Sequence, residues 1–334
     1  MIGRDFGSSE RNFSVDISIV IPMFNEAGNI PLLLEKLKDV LQKIGLSYEL
    51  ICVNDGSGDS TLLDLIAARE FMSELKIINL SRNFGKEIAL TAGLHYSSGN
   101  AVIPIDADLQ DPPEIIIELV NKWQEGFDVV YAQRIARQGE SWLKRFTAWL
   151  FYGVIKNISK ISIPSNTGDF RLIDRSVVDA INRMPERSRF MKGLFAWVGF
   201  NQTAIYFHRP PRHAGTTKWN YWKLWNLALD GITSFSLVPL KIWSYLGLIT
   251  ALLSFLYAFF IIFRTIILGI DIPGYASLMV ALLFLSGIQM FGLGILGEYL
   301  GRVYEEVKER PLYLVRNVYG FDENNKELSN ISKV

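Results

Sequence analysis

The sequence predicts an α/β protein with a mostly parallel, doubly wound sheet, followed by two membrane-crossing helices. Three observations predict it. Apolar, β-branched runs alternate with stretches of helical periodicity between residues 16 and 132, the connections between them are short and polar, and two long runs, Ile242 to Phe263 and Ile272 to Gly297, carry no charge. Strand–helix alternation with short connections is the pattern of parallel sheets flanked by helices. Each uncharged run is long enough to cross roughly 30 Å of hydrocarbon as a helix.

Asp16 to Met23 is a continuous β-branched run, suited to a strand buried on both faces. Asn29 is placed to cap the next helix, with Pro31 in its first turn. Leu33, Leu34, Leu37, Val40, Leu41 and Ile44 recur there at helical spacing, and Gly45 stops the run. Tyr48 to Asn54 is the second strand, and Asp59 or Ser60 caps a helix from Thr61 to Phe71. A third strand (Lys76 to Leu80), a helix (Glu87 to Ser97), a fourth strand (Ala101 to Ile105), a helix from Pro112-Pro113 to Trp123 and a fifth strand (Asp128 to Ala132) complete the alternation.

In sheets of this kind ligands bind beyond the C-terminal strand ends. Asn25, Glu26, Asp55, Asn83, Asp106 and Asp108 all fall there. Asp106-Ala107-Asp108 places two carboxylates one residue apart at a strand end, where they can hold a hard divalent cation that in turn binds phosphates. No G-x-G-x-x-G follows the first strand and no G-x-x-x-x-G-K-[ST] occurs, which argues against a dinucleotide dehydrogenase and a P-loop NTPase.

Lys plus Arg and Asp plus Glu balance at 34 each, so the molecule as a whole is not a polyelectrolyte. The hydrophobic share of 49% is at the upper edge for a soluble protein, and the excess sits in the two uncharged runs. The single cysteine, Cys52, lies in a strand and allows neither an intrachain disulfide nor a thiolate metal site. His208 and His213 lack the company of a zinc site. The polar N-terminus has no apolar segment of a secretory signal.

Ile19 to Ile30 (IVIPMFNEAGNI), Val53 to Thr61 (VNDGSGDST) and Asp106 to Glu114 (DADLQDPPE), in this order and spacing, resemble the GT-A glycosyltransferases of family 2. Asn166 to Arg175 (NTGDFRLIDR) and Arg212 to Trp219 (RHAGTTKW) extend the resemblance to the branch that glycosylates polyprenyl phosphates. Asn83 to Leu94 (NFGKEIALTAGL) and the membrane hairpin are similar, within that branch, to bactoprenol glucosyltransferases. The resemblance implies a Rossmann-like GT-A domain with interfacial helices and a metal, Mg²⁺ or Mn²⁺. It implies that Pro22, Phe24, Asn25 and Glu26 line the nucleotide pocket and that Asp55 hydrogen-bonds the base. Asp106, Asp108 and Gln110 would bind the metal and the donor diphosphate, with Asp108 and Asp169 catalytic and Asp169 facing the acceptor. The reaction implied is inverting transfer of a hexose, glucose from UDP-glucose, to a polyprenyl phosphate. Mannose from GDP-mannose, or an amino sugar, is the alternative donor. A non-catalytic nucleotide-sugar-binding membrane subunit is the alternative class, which the retention of both Asp106 and Asp108 disfavours. Processive polysaccharide synthases resemble this domain but carry a Q-x-x-R-W motif absent here.

From Arg187 to Leu229 there is no acidic residue, while Arg187, Arg189, Lys192, Arg209, Arg212, Lys218 and Lys223 supply positive charge. The interleaved Trp197, Trp219, Trp222 and Trp225 favour a bilayer interface over nucleic acid as the partner. Ser141 to Lys160 reads as a basic amphipathic helix suited to a headgroup layer. Arg134, Arg171, Arg212, His213 and Lys218 are candidates for gripping the acceptor phosphate, guanidinium groups by two oxygens at once and lysine as a point charge. Lys218, Lys223 and Lys241 precede the first span and Arg302, Lys308, Arg310 and Arg316 follow the second, so the positive-inside rule puts the catalytic domain and both termini in the cytoplasm, at the cell (inner) membrane. Gly287, Gly292, Gly294, Gly297 and Gly301 give the second span small faces that admit a homo-oligomer. The chain divides into a disordered leader (1–15), a nucleotide-sugar-binding half (16–140), an acceptor-binding and membrane-interface region (141–230), a transmembrane hairpin (231–300) and a cytoplasmic tail (301–334).

Overall fold

The computed structural model describes residues 15–135, 167–184, 186–187, 189–207, 238–268 and 274–321. These fall into two compact units, one of residues 15–207 with 310–321 and one of residues 238–309. The Ser141–Lys160 helix, Trp219, Trp222, Trp225 and the candidates Arg212, His213 and Lys218 lie outside the described residues.

The first unit is built on eight strands: β1 (Ile17–Met23), β2 (Tyr48–Asn54), β3 (Leu75–Leu80), β4 (Ala101–Pro104), β5 (Val129–Arg134), β6 (Thr167–Asp174), β7 (Gln202–Phe207) and β8 (Val315–Tyr319). Their order is β7-β5-β6-β4-β1-β2-β3-β8. β4, β1, β2 and β3 run parallel, as the apolar runs predict. β1 and β2 are buried along nearly their whole length, which is why they read as continuous apolar runs rather than alternating ones. Their connections contain α1 (Ile30–Ile44), α2 (Thr61–Arg69) and α3 (Lys86–Tyr96); α4 (Ile116–Gln124) follows β4. α1 turns Leu33, Leu37 and Leu41 into the core at a spacing of four, and Gly45, at φ 72°, ends it in the left-handed region.

The sheet is mixed: the five predicted strands run in one direction, as expected, and two further strands, β6 and β8, run against them. β6 pairs antiparallel with β4 and with β5, so it separates the predicted fifth strand from the fourth. β7 then pairs parallel with β5. β6, β7 and β8 interleave polar residues with apolar ones, so none reads as a buried apolar run. β8 lies within the segment expected to be a tail, yet it adds to β3 antiparallel, with Ile77 opposite Tyr319 and Ile78 opposite Val318. One expected cap differs, and for α2 the choice between Asp59 and Ser60 is decided. Asn29 makes no side-chain cap; it ends a 3₁₀ turn (Ala27–Asn29), and its Nδ2 donates to Glu26 Oε2 at 2.7 Å. For α2 the acceptor is Asp59, whose Oδ1 takes the Thr61 amide at 3.0 Å. α5 (Arg175–Asn182) starts at Asp174, whose Oδ1 accepts from the Ser176 amide at 3.0 Å, and α6 (Met191–Trp197) precedes β7.

The second unit is the helix pair α7 (Val238–Leu268) and α8 (Tyr275–Val307). Leu240–Arg264 and Ser277–Val307 are long and apolar enough to cross a membrane, and their large apolar side chains are exposed along most of both lengths. Trp243 packs edge-on to Phe291, ring centroids 5.2 Å apart, and lies against Gly292, where a Cβ would collide with the indole.

Gly93 lets α3 lie directly on β1, since a Cβ there would overlap the Val20 side chain. Overpacking of this kind costs about 1–3 kcal/mol or more. Gly93→Leu should therefore lower the unfolding free energy of the purified protein by that amount in chemical denaturation, while an unchanged free energy would mean that α3 shifts freely on the sheet.

Candidate active site

Because β1 to β4 are parallel, their C-terminal ends share one sheet edge. The reversal of β6 brings its N-terminal end, with Asp169, to that same edge, and the C-terminal end of β5 brings Arg134. Residues far apart in the chain are thereby joined.

At the end of β1, Asn25 adopts φ 56°. Its Oδ1 accepts from the Gly58 amide at 2.8 Å, and its own amide donates to Ser57 Oγ at 3.0 Å. The Glu26 amide donates to Thr61 Oγ1 at 3.0 Å. These bonds lock the loop after β1 to the loop after β2. Pro22 is the penultimate residue of β1, and Phe24 exposes its ring just beyond it. Gly56, at φ 66°, has the Arg82–Asn83 peptide where a Cβ would be, 2.5 Å away.

Asp55 is buried and faces the third loop. Its Oδ1 accepts from the Phe84 amide at 2.7 Å and its Oδ2 from the Gly85 amide at 2.9 Å. Burial raises its pKa, partly offset by those two amides and by Arg82. In this structure the carboxylate fixes the backbone that leads directly into Lys86.

Lys86 opens α3 and sits at the centre of the site. Its Nζ lies 2.6 and 2.9 Å from the two oxygens of Asp106, and 2.7 Å from Asp169 Oδ2. Burial alone would lower its pKa, but Asp169 and Asp106 outweigh that and hold it well above the usual lysine range. Burial likewise opposes ionisation of Asp169, yet Lys86, Lys192 and Arg171 together keep its carboxyl well below the usual range. Asp169 Oδ1 is buried with no hydrogen-bond partner among the described residues.

Arg171 is buried beneath Asp169. Its Nη2 donates to the Gly168 carbonyl at 2.8 Å and its guanidinium stacks 4.1 Å from the centre of the Phe195 ring. Burial lowers its pKa to about 10 despite Asp169 and Glu87. Arg134 is more open, with Nη2 3.5 Å from Oδ1 of the buried Asp111 and packed over Gly168.

Asp108 Oδ1 accepts from the Gln110 amide at 3.1 Å, across Leu109 at φ 57°. Among the described residues no group of three or more His, Cys, Asp or Glu side chains converges. The donors expected from the sequence are two hard carboxylates, Asp106 and Asp108, and the amide oxygen of Gln110. That set fits Mg²⁺ or Mn²⁺, ions that keep several waters and take further oxygens from substrate phosphates rather than from a protein cage.

Sequence reasoning missed Lys86, Glu87 and Asp111. Lys86 carried a signal: a cation in the first turn of a helix opposes the helix dipole, and so calls for anions nearby. Glu87, the next residue, accepts from the Met191 amide at 3.3 Å. Burial and the neighbouring Asp169 push its pKa up to about 7.

Residues 18–181 match the model of glycosyl transferase family 2, and residues 238–303 match that of the GtrB C-terminal hairpin. An uncharacterized glycosyltransferase of Synechocystis sp. is 64% identical over 92% of this chain and 97% of its own. The prophage bactoprenol glucosyl transferase homolog of Escherichia coli is 48% identical over 90% of this chain and 99% of its own, and the bactoprenol glucosyl transferase of Shigella phage SfV is 48% identical over 90% and 98%. The chain therefore belongs to glycosyltransferase family 2, with a GT-A catalytic domain. The hairpin match, with the two long apolar helices, marks it further as a membrane-associated member.

Glu87 ionises near pH 4.5 in the unfolded chain and about 7 in the folded one. Folding takes up a proton between those values, so the contribution of Glu87 to stability is full below the lower value and is lost as pH rises through the upper one. Glu87→Gln removes that titration. The melting temperature of the variant, relative to the unaltered protein, should rise from about pH 5 to about pH 8; a constant difference would show that Glu87 stays ionised throughout.

Proposed function

We propose that this chain transfers glucose, with inversion, from UDP-glucose to a polyprenyl phosphate at the cytoplasmic face of the cell membrane. The observation that carries the reading is the meeting of Asp106 and Asp169 at Lys86, which puts the donor-side and acceptor-side carboxylates of the family resemblance on one ammonium. The names of the bactoprenol glucosyl transferase relatives support glucose and the lipid carrier.

A phosphate oxygen of the acceptor forms the new bond to C1 while the bond from C1 to the diphosphate oxygen breaks on the opposite face, and UDP departs. Asp106, Asp108 and Gln110 would hold Mg²⁺ or Mn²⁺, which when bound offsets charge on the leaving diphosphate. Pro22, Phe24, Asn25, Glu26 and Asp55 form the loops against which the nucleotide is placed, and Arg134, with Arg212, His213 and Lys218, is assigned to the acceptor phosphate. A phosphate monoester has a second pKa of about 6, so the acceptor is already anionic near neutral pH and needs little proton abstraction. Asp169 accordingly orients Lys86, to which it is bonded, more than it takes a proton.

Connectivity supports the proposed topology. β8 comes after α8 in the chain and joins the same sheet as β3, which precedes α7. Two crossings return the chain to the side it left, which supports a hairpin with both flanks on one face, and the flanking basic residues favour the cytoplasmic side.

Purified protein given radiolabelled UDP-glucose, Mn²⁺ and polyprenyl phosphate should move label into organic-extractable lipid. Asp108→Asn should lower that rate on the order of 100-fold, and the absence of metal-dependent transfer from any sugar nucleotide would sink the reading. Asp169→Asn should lower the rate but leave measurable transfer between about pH 6 and about pH 9, whereas complete loss at every pH, with fold and lipid binding intact, would give Asp169 a direct chemical role.

A further inference from the structure

Lys86 touches both the donor-side Asp106 and the acceptor-side Asp169, and its position relative to Asp106 has a consequence for metal binding. Its ammonium spans both carboxylate oxygens of Asp106, at 2.6 and 2.9 Å, so it occupies the side of that carboxylate that a cation would take. It is held there from behind by Asp169 at 2.7 Å. The Lys86 side chain remains 45% exposed, and that of Asp106 26%, whereas that of Asp169 is 11% exposed. The Asp106 end of the bridge is therefore the end open to arriving ligands. The backbone before Lys86 is fixed by Asp55 through the Phe84 and Gly85 amides, so the flexible part is the lysine side chain itself.

We infer that Lys86 is a placeholder cation. In the donor-free protein its ammonium competes with a divalent ion for Asp106, and the diphosphate of the nucleotide sugar relieves the competition by drawing the ammonium to its own oxygens. Metal and donor then bind as a coupled pair, each weak without the other. The inference rests on the assignment of Asp106 as a cation ligand and adds an order of binding to it.

Two physical facts make the exchange workable. A lysine hydrogen-bonded to a carboxylate is a compact point charge on a four-carbon stem, able to swing between nearby anions without rearranging the backbone. Asp169 keeps its hold on Lys86 at one oxygen and has a second, buried oxygen without a hydrogen-bond partner, so the ammonium can leave Asp106 without leaving the site.

The test is Mn²⁺ binding to the full-length protein in detergent, followed by electron paramagnetic resonance of free Mn²⁺, with and without UDP-glucose. Lys86→Met should bind Mn²⁺ on the order of tenfold more tightly than the unaltered protein when no donor is present, since a charged hydrogen bond at the metal-binding carboxylate is gone. The factor by which UDP-glucose tightens Mn²⁺ should shrink correspondingly, because coupling between two ligands is reciprocal. Lys86→Arg keeps the charge and should stay near the unaltered protein. Melting temperature gives a second readout: Mn²⁺ alone should stabilise Lys86→Met more than the unaltered protein. Mn²⁺ binding that depends on UDP-glucose and is lost in Asp108→Asn, but is the same for Lys86→Met and the unaltered protein without donor, would overturn the placeholder role and leave the metal assignment standing. No Mn²⁺ binding by the unaltered protein even with UDP-glucose would overturn both.

Discussion

Two carboxylates, Asp106 and Asp169, share one ammonium at the edge of the sheet, and the site is arranged around that sharing. Both would be anions in a partly desolvated place, where like charges repel and neither has full access to water. Lys86 removes the conflict by bonding to both. Arg171 and Lys192 add positive charge on the Asp169 side, and Glu87 responds to the crowding by holding its proton to about pH 7. The cluster is a charge balance centred on Lys86.

The sheet makes that meeting possible. Four parallel strands bring Asp55, Lys86 and Asp106 to one edge. The reversal at β6 supplies Asp169 and Arg171, and β5 beside it supplies Arg134. The loops after β1, β2 and β3 are then tied together through Asn25, Gly56 and Asp55. Each of these ties fixes backbone rather than a long side chain, so the site stands on rigid support.

Much of this was legible in the chain. The buried strands β1 to β4 announce themselves because a strand covered on both faces must be apolar throughout. α1 and α4 show the periodicity of helices with one buried face, and α7 and α8 contain uncharged runs of the length that hydrocarbon demands. Asp106 and Asp108 stand out because carboxylates at the end of a buried strand need a reason to be there. β6, β7 and β8 were not legible as strands: β6 carries Asp169 and Arg171 for the site, β7 is a short edge, and β8 exposes Arg316 and Asn317. Asn29 has the right residue type for a cap, but the 3₁₀ turn before α1 sends its amide to Glu26 instead.

The sequence by itself determined the strand–helix alternation, the membrane hairpin and the family, because these depend on local periodicity, run length and motif order. Only the tertiary structure decided that the sheet reverses at β6, that the segment after α8 closes its edge, and that Lys86 stands between Asp106 and Asp169. Those depend on which strands pair and in which direction. Pairing joins residues as far apart as 86 and 169, whose mutual attraction leaves no periodic trace in the chain.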